Sequence, residues 1–264
     1  MKLKEKVALV TGAGAGIGKA IAISFAKEGA NIILNDVNKE NAIQVAGEIK
    51  KLGRKCEVHI VDVGHYESVK KMTEEVIKSF GRIDILVNNA GIASRTPAEK
   101  ITEKIWHKVI NINLNGVFFC SKAVGTHMIE RRNGNIINIS SMAGIAAIPN
   151  DLPYVASKHG VIGITRALAI EWAKYNIRVN CICPGLTITP LVEMVSAKEP
   201  KLFSERIERI PLGRPATPND QAQVAMFLAS DESSYVTGHV IPVDGGMSAL
   251  FSGYSASRET NERR

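Results

Sequence analysis

The chain has 264 residues, 45% of them hydrophobic and 22% charged, the balance of an ordinary soluble globular protein. That length admits one large α/β domain or two small ones, with a core that needs neither disulfides nor a metal. The formal net charge of +7 reads as solubility and not as a nucleic-acid surface, because bases and acids interleave along a helix face, as in Lys70, Lys71, Glu74, Glu75 and Lys78.

In chain order, short apolar runs alternate with segments of helical spacing. Val7–Val10 reads as a strand, closed by the glycine-rich turn Thr11–Gly18. A helix over Ile17–Glu28 stops at Gly29, and a strand at Ile32–Leu34 ends near Asp36. A helix over Glu40–Leu52 stops at Gly53, and Val58–Val61 reads as a strand. The next helix, Glu67–Phe80, stops at Gly81, and the strand Ile83–Val87 runs into Asn88-Asn89-Ala90-Gly91. One long helix is predicted over Glu103–Glu130, followed by the strand Ile136–Ile139, the helix Tyr154–Lys174 and the strand Ile177–Ile182. A helix over Asn219–Leu228 and a strand over His239–Val243 complete the series. Strands alternating with helices predict a Rossmann-like, doubly wound parallel sheet with helices on both faces. No Pro/Ser/Gly-rich linker divides it, so residues 1–247 read as a single domain with a tail over 248–264. Pro184 to Pro218 holds six of the ten prolines and no clean strand, which makes 190–217 a candidate substrate lid.

The cysteines Cys56, Cys120, Cys181 and Cys183 form no C-x-x-C pair and read as small buried hydrophobes. The histidines show no ligand spacing, so no metal is expected. The N-terminus passes from two lysines into a strand without a signal-peptide core, and no run of about 18 apolar residues exists to span a bilayer. A cytoplasmic protein without a membrane partner is the expectation.

The turn after the first strand has the spacing G-x-x-x-G-x-G at Gly12, Gly16 and Gly18, flanked by Ala15 and Ile17. Glycines there permit a tight turn and let the backbone approach a pyrophosphate, which the following helix N-terminus attracts. Alone, such a turn is also compatible with a plain structural loop. Asp36 lies about 20 residues beyond it, where a carboxylate accepts from the adenosine ribose hydroxyls and repels a 2′-phosphate. Val37 and Ala15 stand where an NADP enzyme would place Arg or Lys, so NAD is expected over NADP. Asp36 as a mere turn former is the competing reading. Tyr154 and Lys158 are four residues apart on a predicted helix, and Ser141 precedes the tyrosine by thirteen. A phenol with an ordinary pKa near 10 makes a poor base at neutral pH, and a cation one helical turn away favours the phenolate. Tyr154 is therefore the candidate acid/base, Lys158 its tuning partner, and Ser141 the hydrogen-bonding partner of a substrate oxygen. By itself the Tyr154/Lys158 pair also reads as an ordinary surface pair.

These residues resemble the short-chain dehydrogenase/reductase family, in its single-domain branch. The resemblance runs from Lys6 to about Met247. It rests on T-G-x-x-x-G-I-G at 11–18, Asp62-Val63, N-N-A-G at 88–91, I-N-L-N-G at 112–116 and I-S-S at 139–141, and on Y-x-x-x-K at 154–158, C-P-G at 183–185 and V-D-G-G at 243–246. It implies that Lys158 holds the nicotinamide ribose and that Asn113 positions a water relaying protons to solvent; a helix-bending polar residue is the alternative for Asn113. It also implies that Asp62 and Val63 line the adenine pocket and that Asn89, Ala90 and Gly91 pass beneath the adenosine. Pro184 and Gly185 are implied to approach the nicotinamide, with Thr189 and the backbone of Thr187 near its carboxamide. Thr187 departs from the Val or Ile common there. A homotetramer is a further implication.

Substrate residues are expected in Ser94–Pro97, Met142–Pro153 and Leu186–Pro211. The small apolar stretch M-A-G-I-A-A-I-P suits a secondary alcohol or its ketone, with Asn150 and Asp151 available to sugar hydroxyls. The expected activity is an NAD-dependent alcohol dehydrogenase or carbonyl reductase. The alternatives are a 3-oxoacyl carrier-protein reductase, a sugar 1-dehydrogenase and, more remotely, a non-catalytic NAD-binding regulator. Carrier-protein reductases commonly use NADP, so Asp36 argues mildly against that role.

Overall fold

The computed structural model describes residues 1–190, 192, 193, 196 and 200–250. Its seven strands form one parallel sheet in the order β3-β2-β1-β4-β5-β6-β7. They are β1 (Val7–Thr11), β2 (Asn31–Asp36), β3 (Cys56–Ile60), β4 (Ile85–Asn88), β5 (Gly134–Ile139), β6 (Ile177–Pro184) and β7 (Val240–Val243). Between them run α1 (Gly16–Lys27), α2 (Lys39–Lys51), α3 (Tyr66–Phe80), α4 (Glu103–Ile110), α5 (Gly116–Arg131), α6 (Leu152–Trp172), α7 (Pro200–Glu208) and α8 (Pro218–Ala229). This is the expected doubly wound, Rossmann-like α/β arrangement.

The central strands are apolar throughout because both sheet faces are covered. Alternate side chains of β1 go to opposite cores. Ala8 and Val10 pack with Ile21 and Phe25 of α1, Val45 and Ile49 of α2, and Met226 of α8. Val7 and Leu9 pack with Met72 and Val76 of α3, Val124 and Met128 of α5, and Ala169 of α6. Both cores are fully dry at their largest residues, Phe25, Ile21, Leu9 and Met72 among them. Each such side chain contributes about 1.5–3 kcal/mol by leaving water.

Several predicted boundaries change. The long helix over Glu103–Glu130 is two helices separated by a π turn at Asn111–Asn115. The cause is tertiary: Asn113 in that turn is fully buried and bonded to the loop after β4. The helix predicted to begin at Tyr154 begins at Leu152, with Pro153 in its first turn, and gives way after Trp172 to a 3₁₀ turn. β3 starts two residues early, at Cys56, because its pairing with β2 begins at Ile32. Part of the predicted lid (Leu191, Met194, Val195 and residues 197–199) and tail residues 251–264 lie outside the described residues.

The order of strands reverses between β1 and β4. Chain connections leave these neighbours in opposite directions, which opens a crevice at their carboxyl ends.

Candidate active site

The glycine turn lies at that crevice. Gly12 (φ +61) and Gly16 (φ +54) hold left-handed conformations. A Cβ on Gly12 would lie 2.9 Å from Ala90 Cα, and one on Gly18 would collide with the Gly12 carbonyl oxygen. The turn after β1 is thereby pressed against the loop after β4. Thr11 fastens the two: its Oγ1 accepts from the amides of Asn89 (3.0 Å) and Ala90 (3.1 Å). Asn89 Nδ2 returns bonds to the carbonyls of Thr11 (3.0 Å) and Gly12 (2.9 Å). The sequence reading assigned no role to Thr11.

The N-cap of α1 is Ala15, which has no side chain to cap the first turn, and that turn carries no acidic residue. Its amide groups and positive dipole end are thus left for an anion. This uncapped terminus beside a glycine turn fits the pyrophosphate of a dinucleotide. Asp36, at the end of β2, accepts from Gly14 N through Oδ2 (2.7 Å) and from Asn38 N through Oδ1 (2.9 Å). It is a turn former, yet each oxygen retains a lone pair for a ribose hydroxyl. Val37 beside it is 69% exposed and brings no charge. Asp62 Oδ1 takes the amide of Gly64 at 2.8 Å. Val63 is buried against Gly116, which leaves only its backbone for a ligand.

Ser141, Tyr154 and Lys158 line one cavity of about 300 Å³, together with Ile17, Asn89, Gly91, Pro184, Gly185, Thr187 and Thr189. β5 delivers Ser141, which caps a 3₁₀ turn by accepting from Ala143 N at 3.0 Å. The first turns of α6 present Tyr154 and Lys158 on one face. Lys158 is 4% exposed, and its Nζ donates to the Ile139 carbonyl at 2.8 Å. Nζ stands 5.6 Å from the centre of the Tyr154 ring.

The Tyr154 phenol is raised, not lowered as the ammonium beside it led us to expect. Burial pushes the Tyr154 phenol above its ordinary value; hydrogen bonding by Ser141 partly offsets this, and Asp151 and Cys183 add to the rise. Burial also lowers Lys158 from 10.5 to about 8. Both groups are desolvated together, so low dielectric disfavours each charge before one can favour the other. Cys183, on the next strand, is held below its usual range by hydrogen bonding from Cys181. Burial pushes Cys56 and Cys120 up to about 12. All four cysteines are buried and free.

Asn113 lies behind the lysine. Its Oδ1 accepts from Ile92 N at 2.8 Å, and its Nδ2 donates to Ile92 O (2.8 Å) and Ser157 Oγ (3.2 Å). A Cβ on Gly91 would touch both Asn113 Oδ1 and Lys158 Nζ at 3.4 Å, so the three converge. Thr187 is 4% exposed, and its Oγ1 is bonded inward to Gly185 O and Gln221 Nε2. Only its backbone remains for the cleft. The Thr189 methyl faces Gly16. Asp151 lines the same cavity and is 3% exposed; its Oδ1 binds the Ser94 amide and hydroxyl at 2.9 and 2.8 Å, which leaves Oδ2 toward the cavity. Among the described residues no group of three or more His, Cys, Asp or Glu is placed to hold a metal, and no helix is long and apolar enough to cross a membrane.

An uncapped helix at a switch-point glycine turn, next to a buried Tyr/Lys/Ser cavity, defines a nicotinamide-dependent oxidoreductase. A family model described as enoyl-(acyl carrier protein) reductase matches residues 12–248. The 3-oxoacyl-[acyl-carrier-protein] reductase FabG of Thermotoga maritima is 46% identical over 247 residues, 94% of this chain and 99% of the relative. The (2S)-[(R)-hydroxy(phenyl)methyl]succinyl-CoA dehydrogenase subunit BbsD of Thauera aromatica is 40% identical over 96% of this chain and all of its own length. The structure of NAD+-bound xylitol dehydrogenase superposes with a TM-score of 0.90 at 35% identity, covering 93% of this chain and 100% of that one. The chain belongs to the short-chain dehydrogenase/reductase family and is an oxidoreductase.

Proposed function

We propose that the protein interconverts a 3-oxoacyl thioester and the 3-hydroxyacyl thioester, with NAD(H) as the hydride carrier. The observation that carries the reading is the placement of Ser141, Tyr154 and Lys158 on the wall of one cavity that also reaches Ile17 of the glycine turn. The thioester class is supported by two relatives of nearly full coverage, one named for a carrier-protein substrate and one for a coenzyme A substrate. Their names favour it over the general secondary-alcohol dehydrogenase and the sugar 1-dehydrogenase of the sequence reading. NAD over NADP is supported by Asp36 at the ribose position and by the absence of a cation at Ala15 and Val37.

Gly12, Gly16 and Gly18 allow the cofactor's close approach, with Ala15 at the uncapped turn. Asp36 takes the ribose, Asp62 and Val63 flank the adenine, and Asn89 to Gly91 and Pro184 to Thr189 line the path to the nicotinamide. When bound, the nicotinamide would supply hydride chemistry, to the carbonyl carbon in reduction and from the carbinol carbon in oxidation. Ser141 holds the carbonyl oxygen by a hydrogen bond. Tyr154 donates its proton to that oxygen during reduction. A raised pKa keeps the phenol protonated at neutral pH, which suits an acid. Lys158 orients the ribose hydroxyls and, with Asn113, returns a proton to the phenol. Residues 1–247 act as one unit, with described lid residues Val192 and Arg206 on the cavity wall. Assembly as a homotetramer in the cytoplasm is the accompanying reading, which sedimentation and fractionation test; the exposed Phe118 and Ile170 on α5 and α6 are consistent with packing between copies.

Tyr154→Phe tests the proposal. NADH binding should persist while turnover of acetoacetyl-CoA falls by a factor of about 10²–10⁴. Turnover near wild type would remove Tyr154 from the acid/base role.

A further inference from the structure

We propose that Arg95 and Arg206 form an anion-binding pair at the mouth of the substrate cavity, holding a phosphate or carboxylate carried by the ketone substrate. The inference rests on the reading that this cavity receives a ketone, and it deepens that reading by naming the charge the substrate carries.

Arg95 comes from the connection between β4 and α4, and Arg206 from α7. The two nonetheless line the cavity that contains Ser141 and Tyr154. Arg54, Arg82, Arg131 and Arg214 each pair with a carboxylate. Among the described residues Arg95 and Arg206, like Arg132, Arg166, Arg178 and Arg209, have no such partner, but they alone of these line the cavity. Partial burial and, after it, the charge of Arg95 lower the pKa of Arg206. Two guanidiniums lining one opening, without a carboxylate partner among the described residues, repel each other and raise the local affinity for an anion. Their planar forks suit the two oxygens of a carboxylate or phosphate.

The backbone supports the same reading. Arg95 has φ +50, a left-handed conformation uncommon for a residue with a Cβ. It is held there by the buried Asp151, whose Oδ1 accepts from Ser94 N (2.9 Å), Ser94 Oγ (2.8 Å) and Arg95 N (3.3 Å). Thr96 and Asp151 also pair as a parallel bridge. Asp151 is the N-cap residue of α6, the helix that carries Tyr154. One carboxylate therefore ties the position of Arg95 to that of the acid/base. Strain of this kind persists where the surroundings over-determine it, as at ligand sites.

The test uses the full chain with Arg95→Asn, since asparagine tolerates the left-handed backbone, and Arg206→Gln. NADH oxidation is followed with acetoacetyl-CoA (phosphate), acetoacetate (carboxylate) and ethyl acetoacetate (neutral). The readout is kcat/KM for each anionic ketone divided by that for the neutral ester. That ratio should fall roughly tenfold or more in each variant, mainly through KM. A fall for the coenzyme A ester alone assigns the pair to phosphate, and a fall for acetoacetate alone assigns it to carboxylate. An unchanged ratio for both overturns the proposal. If wild type reduces none of the three, the ketone reading itself fails. The pair is then read by calorimetric titration of the NAD-loaded protein with coenzyme A and with acetoacetate. Weaker binding by the variants sustains the pair; equal binding, or no binding by wild type, sinks it.

Discussion

Keeping Lys158 charged inside the protein is costly, and the cost has a definite pH dependence. Burial lowers its pKa from 10.5 to about 8, which corresponds to about 3 kcal/mol against the folded state. Below pH 8 both the folded and unfolded chains bind the proton, and the full penalty applies. Between pH 8 and 10.5 the folded chain has released a proton that the unfolded chain keeps, so stability rises with pH. Above 10.5 neither state holds it and the penalty is gone. Lys158→Met fills similar space without a charge, so it lacks this dependence. Urea unfolding of the two cofactor-free proteins at pH 7 and pH 10, each in a Cys181→Ala/Cys183→Ala background, isolates the term, because those thiols are the itemised groups whose titration Lys158 also shifts. Wild type should gain roughly 2–3 kcal/mol relative to Lys158→Met over that interval. A constant difference between the two proteins would refute the claim that the ammonium is desolvated. The loss of the bond to Ile139 O shifts both pH values equally and leaves this slope untouched.

Two further outcomes follow from the cofactor cleft. Gly18→Ala places a methyl group against the Gly12 carbonyl and Asn89 Nδ2; overpacking here should cost about 1–3 kcal/mol in urea unfolding and weaken NADH binding in a fluorescence titration. Full retention of both would show that the turn yields. Asp36→Ala should narrow the NAD over NADP preference in kcat/KM, because the carboxylate that repels a 2′-phosphate is gone; an unchanged ratio would remove Asp36 from cofactor choice.

Much of this site was legible in residue order. Strands, helices and the glycine turn are local matters of periodicity and backbone freedom, and the Y-x-x-x-K spacing survives in α6 because helical geometry places i and i+4 together. The break at Asn111–Asn115 was not legible. Its residues continue the helical spacing, and only the bonds from Asn113 to Ile92 and Ser157 make the wider turn favourable. Nothing in the chain neighbourhood of Asp151 reveals that Ser94 and Arg95 would bind its Oδ1. Thr11 went unassigned because its partners, Asn89 and Ala90, belong to a distant strand end.

The amino-acid order by itself determined the alternation of strands and helices, the glycine turn at 11–18 and the spacing of the candidate trio Ser141, Tyr154 and Lys158. Folding decided the signs and the neighbours: that burial of Tyr154 and Lys158 disfavours both charges, and that Arg95 and Arg206 come to face one opening. The division has a physical cause. Conformational preference and spacing act over a few residues, whereas desolvation and charge proximity depend on which distant segments the packed sheet brings together.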